Sequence, residues 1–166
     1  MVAYTREQLL ASGRRELAPR PSLPAPPFLM FDRITELDNV SGAFGKGVVR
    51  AEFDIGPTLW FFACHFEEDP VVPGCLQLDA LWQMLGFFQG HHGAKGYGRA
   101  LGAGEVEFTG QITRSKKLVT YTLHVKRARI TEKVSMAYAD GTVECDGKIV
   151  CTAKDLHVGV FPVIPE

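Results

Sequence analysis

The stretch CLQLDALWQMLGFFQG, residues 75–90, decides the fold of this chain. Wound as a helix, it points apolar side chains in nearly every direction, and a helix that is apolar all round is a buried one. Pro73-Gly74 interrupts the run before it and Gly90 ends it, so both ends are marked. The pattern predicts one long central helix that other elements of the chain must wrap.

Asp79 is the misfit in this helix, because it is the only charged residue between Asp69 and Lys95. A buried carboxyl needs partners, or its pKa rises and it becomes neutral. A raised pKa is what a general acid needs near neutral pH, which favours a functional role. The alternative is an aspartate near the helix N-terminus that the helix dipole stabilises.

His65 follows the apolar run LWFFAC and is the second ionisable candidate. A lone histidine is more often a core residue satisfied by the backbone, but Pro70 and Pro73 make the chain after it stiff and turning. That segment leads directly into the helix, where the first N–H groups, of Gly74 and Cys75, have no intrahelical partner. Such N–H groups can stabilise an oxyanion. A histidine base, a carboxylic acid and an oxyanion site indicate proton chemistry beside a carbonyl.

The C-terminal half is predicted to be antiparallel sheet. The segment LVTYTLHVK, residues 118–126, alternates apolar and polar side chains with a period of two. Ser135, Ala137 and Ala139 form a small-residue face that could lie close under a helix. Asp146-Gly147 is a strong hairpin signal between roughly residues 133–145 and 148–158. We expect four strands after the helix, and the glycine-rich segment 90–104 is interpreted as loop and bulge positions.

The N-terminal half is predicted to contain a short helix, a strap and two strands. Thr5 and Gln8 fit a capping box that starts the helix. A proline-rich strap, APRPSLPAPPFL (residues 18–29), follows. Residues 1–27 as a whole are expected to pack on the main body of one domain spanning residues 1–166. Two strands are expected near residues 31–37 and 44–54. Antiparallel strands segregated from helices define an α+β fold.

Composition excludes several classes of protein. With 166 residues, 46% of them hydrophobic, and a net charge of −1, the chain has the size of one globular domain and no nucleic-acid surface. No apolar run reaches the ~20 residues of a membrane span. Four cysteines without a CxxC pair, and no secretory signal, predict free thiols in the cytoplasm. The cysteines and histidines match no zinc spacing, so neither a metal nor another cofactor is expected.

Several segments in family order resemble the bacterial β-hydroxydecanoyl-acyl-carrier-protein dehydratase/isomerases of type II fatty-acid synthesis, which have the hotdog fold. The resemblance covers nearly the whole chain. The segments that carry it are LLASGRREL (9–17), LPAPPFLMFDRI (23–34), HFEEDPVVPGCLQLDALWQMLGFF (65–88), GRALGAGEVEFTGQI (98–112) and TAKDLHVGVF (152–161).

The resemblance implies roles for individual residues. His65 would move the α-proton and, in isomerisation, the γ-proton, while Asp79 would protonate the departing β-hydroxyl. The Gly74 N–H, with that of Cys75 beside it, would polarise the thioester carbonyl. Members of the family form homodimers in which His65 of one chain meets Asp79 of the other. The acyl chain would lie in an apolar tunnel at that interface, with contacts from Phe66, Val71, Leu78 and Trp82.

The resemblance also implies an activity and a partner. The substrate would be a 3-hydroxyacyl group on the phosphopantetheine arm of an acyl carrier protein, docked on basic residues. Sister dehydratases that do not isomerise usually carry Glu at the position of Asp79, which favours the bifunctional branch. The alternatives are a dehydratase without isomerase activity, a hotdog acyl thioesterase and a non-catalytic acyl-binding module. The candidate docking residues are Lys116, Lys117, Lys126, Arg127, Arg129 and Lys133.

Overall fold

A computed structural model describes residues 1–14, 16 and 23–162. The helices are α1 (Arg6–Gly13) and α2 (Gly74–His91), with a short 3-10 helix at Trp60–Ala63. The strands are β1 (Val2–Tyr4), β2 (Arg33–Asp38), β3 (Val48–Asp54), β4 (Tyr97–Gly102), β5 (Glu105–Phe108), β6 (Leu118–Arg129), β7 (Ser135–Cys145) and β8 (Lys148–Phe161).

All eight strands form one antiparallel sheet in the order β1-β2-β3-β6-β7-β8-β4, and β5 also pairs with β8. Helix α2 packs against β3, β4, β6, β7 and β8 and shares one core with them. The predicted α+β hotdog architecture, a sheet around a long apolar helix, is confirmed. The helix extends one residue beyond each end of the predicted segment 75–90.

The small-residue face of β7 sets how closely the helix approaches the sheet. Ala137 and Ala139 are fully buried on this face, as the sequence predicted, and Gly141 continues it. A Cβ placed on Gly141 would come within 2.8 Å of Leu81 Cδ1 on α2. The absence of a side chain at this position therefore lets the helix backbone approach the centre of the sheet.

The N-terminal segment is attached to both the sheet and α2. The predicted capping box is present, since the Thr5 side chain accepts from the Gln8 N–H and the Gln8 side chain accepts from the Thr5 N–H. The hydroxyl of Tyr4 in β1 shares a hydrogen bond with His91 Nδ1 at the C-terminal end of α2, over 2.6 Å. Residues 18–22 of the predicted proline-rich strap lie outside the described residues; in the described part of the strap, the Leu23 side chain is buried in the core.

Three expectations about strands were wrong. Five strands follow α2 rather than four, because residues 97–102 form β4 instead of a loop. The glycines of this segment suggested turns, but β8 is long enough to pair with β4 beyond its pairing with β5. Strand β1 was not anticipated, and β3 begins at Val48 rather than near Phe44, because residues 42–45 form a turn.

Candidate active site

Helix α2 begins at Gly74, with Pro73 as its N-cap residue and no side-chain cap. The N–H groups of Gly74 and Cys75 in the first turn therefore have no intrahelical acceptor. Asp79 is the sixth residue of the helix and lies beyond that first turn. Since the influence of the dipole falls off within the first turn, helix-dipole stabilisation is a poor explanation for this carboxyl.

Asp79 borders a cavity of about 200 Å³ between the strap, α2 and β4. Burial raises the pKa of the Asp79 carboxyl, and a hydrogen bond from Gln83 opposes part of that rise. The carboxyl therefore retains its proton to a higher pH than an exposed aspartate does. Three polar side chains, of Asp79, Gln83 and Arg99, line the cavity; the other lining residues are Leu23, Pro24, Phe28, Trp82, Gly86, Phe87, Gly98, Ala100 and Val158.

His65 is half-buried and held by the segment around it. Its Nδ1 lies 3.1 Å from the Val71 carbonyl oxygen, and the backbone N–H of Val71 donates back to the His65 carbonyl over 2.9 Å. Because a carbonyl can only accept, Nδ1 carries a proton and the lone pair of the neutral ring is on Nε2. The ring stacks on Phe66 with centroids 4.0 Å apart. These contacts fix both the tautomer and the orientation of the imidazole.

Phe108 covers the start of α2, a contact that the sequence did not reveal. A Cβ on Gly74 would lie only 2.8 Å from Phe108 Cε1. The absence of a side chain at Gly74 therefore leaves room for the phenyl ring of Phe108, at the end of β5. Phe108 is nevertheless 52% exposed. The unbonded N–H groups at the helix start therefore lie beside an apolar surface, which strengthens electrostatic interactions made there.

The structure brings the predicted site residues together only in part. No contact joins His65 to Asp79 within the chain, and His65 does not line the Asp79 cavity. Of the four predicted tunnel residues, Trp82 lines that cavity and donates its indole N–H to the Gly102 carbonyl over 3.1 Å. Phe66, Val71 and Leu78 do not line it, and Phe66 is 56% exposed. Their tunnel role stays a prediction.

Clusters of metal ligands, disulfides and membrane-spanning helices are absent from the described residues. Within them, no three His, Cys, Asp or Glu side chains are grouped as metal ligands would be. The four cysteines are unpaired thiols. In the same part of the chain, neither helix has the length and apolar character needed to cross a bilayer.

A match to a protein-family model identifies the family of this chain. A family model described as the FabA-like domain matches residues 23–154, which include α2, the His65 segment and most of the sheet. The chain belongs to the FabA-like domain family. The family match therefore covers both candidate catalytic residues as well as the elements that position them.

Solved structures similar to this FabA-like chain share its fold at low sequence identity. The dehydratase heterocomplex ApeI:P from Xenorhabdus doucetiae matches with a TM-score of 0.59 and 18% identity, over 84% of this chain and 86% of that chain. AziG from S. sahachiroi matches with a TM-score of 0.55 and 10% identity, over 78% and 90%. A putative esterase from Mycobacterium tuberculosis matches with a TM-score of 0.50 and 15% identity, over 80% and 92%.

Gln83 is the site residue of this FabA-like domain that sequence reasoning missed. It donates to Asp79 Oδ2 over 2.5 Å, and its amide also contacts the backbone at Phe28 and Met30. Gln83 is four residues after Asp79, so both side chains lie on one face of the helix. This spacing in the sequence could have predicted the contact between them. The contacts with residues 28 and 30 join distant parts of the chain and left no local signal.

Proposed function

We propose that this FabA-like protein is a dehydratase that eliminates water from a 3-hydroxyacyl thioester and yields the trans-2-enoyl product. The observation that carries the proposal is the environment of Asp79, whose pKa is raised by burial beside a mostly apolar cavity. A carboxyl that keeps its proton can give it to a departing hydroxyl, which an ionised surface aspartate cannot do.

The proposed reaction uses each group for one proton or one charge. His65 Nε2 removes the α-proton, since Nδ1 is already engaged with the Val71 carbonyl. The N–H groups of Gly74 and Cys75 stabilise the enolate-like charge that develops on the thioester oxygen. Asp79 transfers its proton to the β-hydroxyl, which leaves as water. A positioned acid or base contributes roughly 10²–10⁴ in rate.

We propose that two copies of the chain complete each site, with His65 from one and Asp79 from the other. The absence of a contact between them within one chain supports this arrangement. Strand β4 supports it too, because it ends the sheet order and its outer edge is unpaired among the described strands. Leu101 on β4 is 44% exposed and Phe108 on neighbouring β5 is 52% exposed. An apolar edge of this kind favours pairing with a second copy.

We propose that the acyl group arrives on an acyl carrier protein. The basic candidates differ in how much of their charge is available. Lys126 lies 2.8 Å from Asp140 and 2.7 Å from Asp155, so its charge is largely compensated. The guanidinium of Arg127 instead lies 4.0 Å from the centre of the Tyr138 ring. Arg127 and the neighbouring exposed Arg129 are therefore better candidates for contacting an acidic carrier.

We further propose that the enzyme isomerises the trans-2-decenoyl product to the cis-3 isomer. The support is the aspartate at position 79, where non-isomerising sister enzymes usually have glutamate. Once the proton held by His65 has returned to Asp79 through solvent, neutral His65 would remove the γ-proton and Asp79 would deliver its proton to the α-carbon, so that one proton leaves the acyl chain and one joins it. No further side chain is required for this second step.

Product analysis tests the proposed function. Purified protein is incubated with a 3-hydroxydecanoyl thioester, and the products are separated by chromatography. The trans-2 enoyl thioester is expected, with the cis-3 isomer beside it. Trans-2 alone would remove the isomerase part of the proposal. Free acid instead of enoyl product would indicate a thioesterase, the activity of some hotdog proteins, and unreacted substrate would indicate a binding module.

A further inference from the structure

Arg99 in β4 is a cation that no carboxylate neutralises among the described residues. Its side chain is exposed, and its Nη1 donates to the Gly98 carbonyl over 2.8 Å. The edge formed by Nε and Nη2 meets no acceptor within residues 1–14, 16 and 23–162. That edge can take a carboxylate through two parallel hydrogen bonds. The described arginines of the N-terminal half are instead paired: Arg6 with Asp32, Arg14 with Glu16, Arg33 with Glu52 and Asp54, and Arg50 with Glu36.

The cavity that Arg99 shares with Asp79 is otherwise suited to a hydrocarbon chain. Its lining follows one face of α2 from Asp79 through Trp82 to Phe87, a span of about 12 Å at the rise of an α-helix. Apart from Asp79, Gln83 and Arg99, the lining residues are apolar or glycine. The volume of about 200 Å³ corresponds to about six or seven groups of the size of a water molecule or a methylene.

The carboxyl of Asp79 does not oppose an anion in this cavity while it is protonated. Burial raises the pKa of that carboxyl, so it stays neutral to a higher pH than an exposed aspartate does. A neutral carboxyl can donate a hydrogen bond to an anion, whereas an ionised one repels it. The guanidinium of Arg99 carries its charge at every accessible pH. The cavity therefore combines an apolar wall with one available positive charge.

We propose that the Asp79 cavity binds the anion of a free medium-chain fatty acid, with its carboxylate on the Nε–Nη2 edge of Arg99 and its tail along α2. Burial of the tail against Trp82 and Phe87 removes apolar surface from water. The ion pair determines which end of the ligand meets Arg99. An alcohol of the same length gains only the burial, and a small inorganic anion gains only the ion pair. The cavity therefore favours a fatty acid over both.

A bound fatty acid would exclude the acyl group of a substrate from the space beside Asp79. This consequence rests on the proposed function, in which Asp79 acts on the β-hydroxyl of an acyl group. Free fatty acid should therefore inhibit dehydration by competition. Pairing of β4 with a second copy of the chain would use backbone N–H and C=O groups of the strand and leave the Arg99 guanidinium in place.

Isothermal titration calorimetry with sodium octanoate tests the binding without any need for turnover. Arg99→Gln removes the charge and keeps a polar side chain. Lys95→Gln is the matched control, because it removes the same charge from an exposed residue that precedes β4 and does not line the cavity. We expect Arg99→Gln to weaken octanoate binding by about fivefold to fifteenfold, between the effects of an exposed ion pair and of a hydrogen bond to a charged group. Lys95→Gln should change it by less than about twofold, since solvent screens an exposed charge.

Two further ligands separate recognition of the carboxylate from general affinity. Octanol should bind the wild type and Arg99→Gln equally, and inorganic phosphate should not compete with octanoate. Equal octanoate affinity in Arg99→Gln and wild type would overturn the proposal, as would equal losses of octanol and octanoate affinity. Competition by phosphate on equal terms would assign Arg99 to a phosphate group instead. A wild type that does not bind octanoate at millimolar concentration would also end the proposal.

Nuclear magnetic resonance of the wild-type protein keeps the test decisive should Arg99→Gln fail to fold. Of the two tryptophans, Trp82 lines the cavity and donates its indole N–H to the Gly102 carbonyl. Trp60 donates to the Pro27 carbonyl and does not line the cavity. Octanoate should shift the indole N–H signal of Trp82 more than that of Trp60. An unchanged Trp82 signal at saturating octanoate would overturn the proposal.

Kinetics with a 3-hydroxydecanoyl thioester test the consequence for turnover. Octanoate should raise the KM of the wild type and leave kcat unchanged, and the same concentration should inhibit Arg99→Gln less. Octanoate that binds without inhibiting would overturn the overlap between this site and the acyl group. Octanoate that binds to a wild type without dehydratase activity would overturn the proposed function and leave the site standing, so the two failures are distinguishable.

Discussion

The contact between Gly141 of β7 and Leu81 of α2 allows a prediction about folding stability. Whether Gly141→Ala stabilises or destabilises the protein should depend on the residue at position 81. In the wild type, the new methyl group of Gly141→Ala would lie 2.8 and 2.9 Å from the two Leu81 Cδ atoms. Leu81 is fully buried and cannot turn towards solvent. Overpacking of this kind costs about 1–3 kcal/mol. Replacing a strand glycine by alanine offsets about 0.5–1 kcal/mol of this cost, so the net loss of stability is about 0–2.5 kcal/mol.

In a Leu81→Ala background the same substitution should be stabilising. Leu81→Ala itself costs about 2–5 kcal/mol, because it leaves a cavity between helix and sheet. The Gly141→Ala methyl group then meets no Leu81 atoms and fills part of that cavity. Of the three atoms nearest to it in the wild type, Leu156 Cδ1, at 3.3 Å, then remains. The double variant is therefore expected to be more stable than Leu81→Ala alone. Replacing a flexible strand glycine by alanine contributes about 0.5–1 kcal/mol, and filling part of the cavity adds to it.

Urea unfolding followed by tryptophan fluorescence measures this reversal, at one fixed protein concentration because the proposed assembly would contribute to apparent stability. Gly159→Ala is the matched control, since it also replaces a strand glycine but its Cβ would meet Phe161 rather than Leu81. Its effect should be the same in both backgrounds. Equal effects of Gly141→Ala in both backgrounds, within about 0.5 kcal/mol, would refute the argument that this contact limits helix approach.

Three further predictions concern the site and its assembly. Asp79→Asn should lower dehydration by roughly 10²–10⁴ while the protein still folds. Because burial raises the pKa of Asp79, native protein binds this proton more tightly than unfolded protein does, and ionisation destabilises the fold as pH rises. In urea unfolding, Asp79→Asn should therefore be more stable than wild type at about pH 8, and the difference should vanish near pH 3; the opposite trend would contradict a buried acid. His65→Ala should also be inactive. Mixing it with Asp79→Asn under subunit exchange should restore about one quarter of wild-type turnover, because half of the dimers are then heterodimers and each of these has one intact site of two. No recovery of turnover would place the two groups in one chain. Leu101→Lys should dissociate the proposed dimer in sedimentation experiments and reduce turnover at low protein concentration, and an unchanged assembly would rule out the β4 edge as the interface.

Local sequence pattern was enough to predict the helices and strands that are specified by the hydrophobic periodicity or the turn residues of a short continuous segment. The apolar surface of residues 75–90 predicted α2 within one residue at each end. The alternation in residues 118–126 predicted the buried face of β6, and Asp146-Gly147 predicted the β7–β8 hairpin, where both residues have positive φ. The resemblance predicted the hotdog fold and the broader FabA-like family, whereas single-residue patterns alone would have left the fold as α+β; the narrower dehydratase/isomerase family stays a prediction.

Contacts between distant residues were not predictable in the same way. Strand β4 is rich in glycine and has little strand propensity of its own, and it forms because β8 offers it a partner. Gln83 contacts the backbone at residues 28 and 30, and Phe108 covers Gly74, across separations that no local pattern encodes. His91 ends α2 and shares a hydrogen bond with Tyr4, which precedes it by 87 residues. In each case tertiary packing decided the environment.

The two ends of the sheet differ in a way that limits how far the protein can polymerise. At one end β1 is only three residues long and its pairing with β2 is irregular, so it offers little backbone to another chain. At the other end β4 presents six residues. If β4 pairs with its own copy, a two-fold axis consumes both long edges at once. Growth then stops at two chains, and the sheet has no productive route to a fibre.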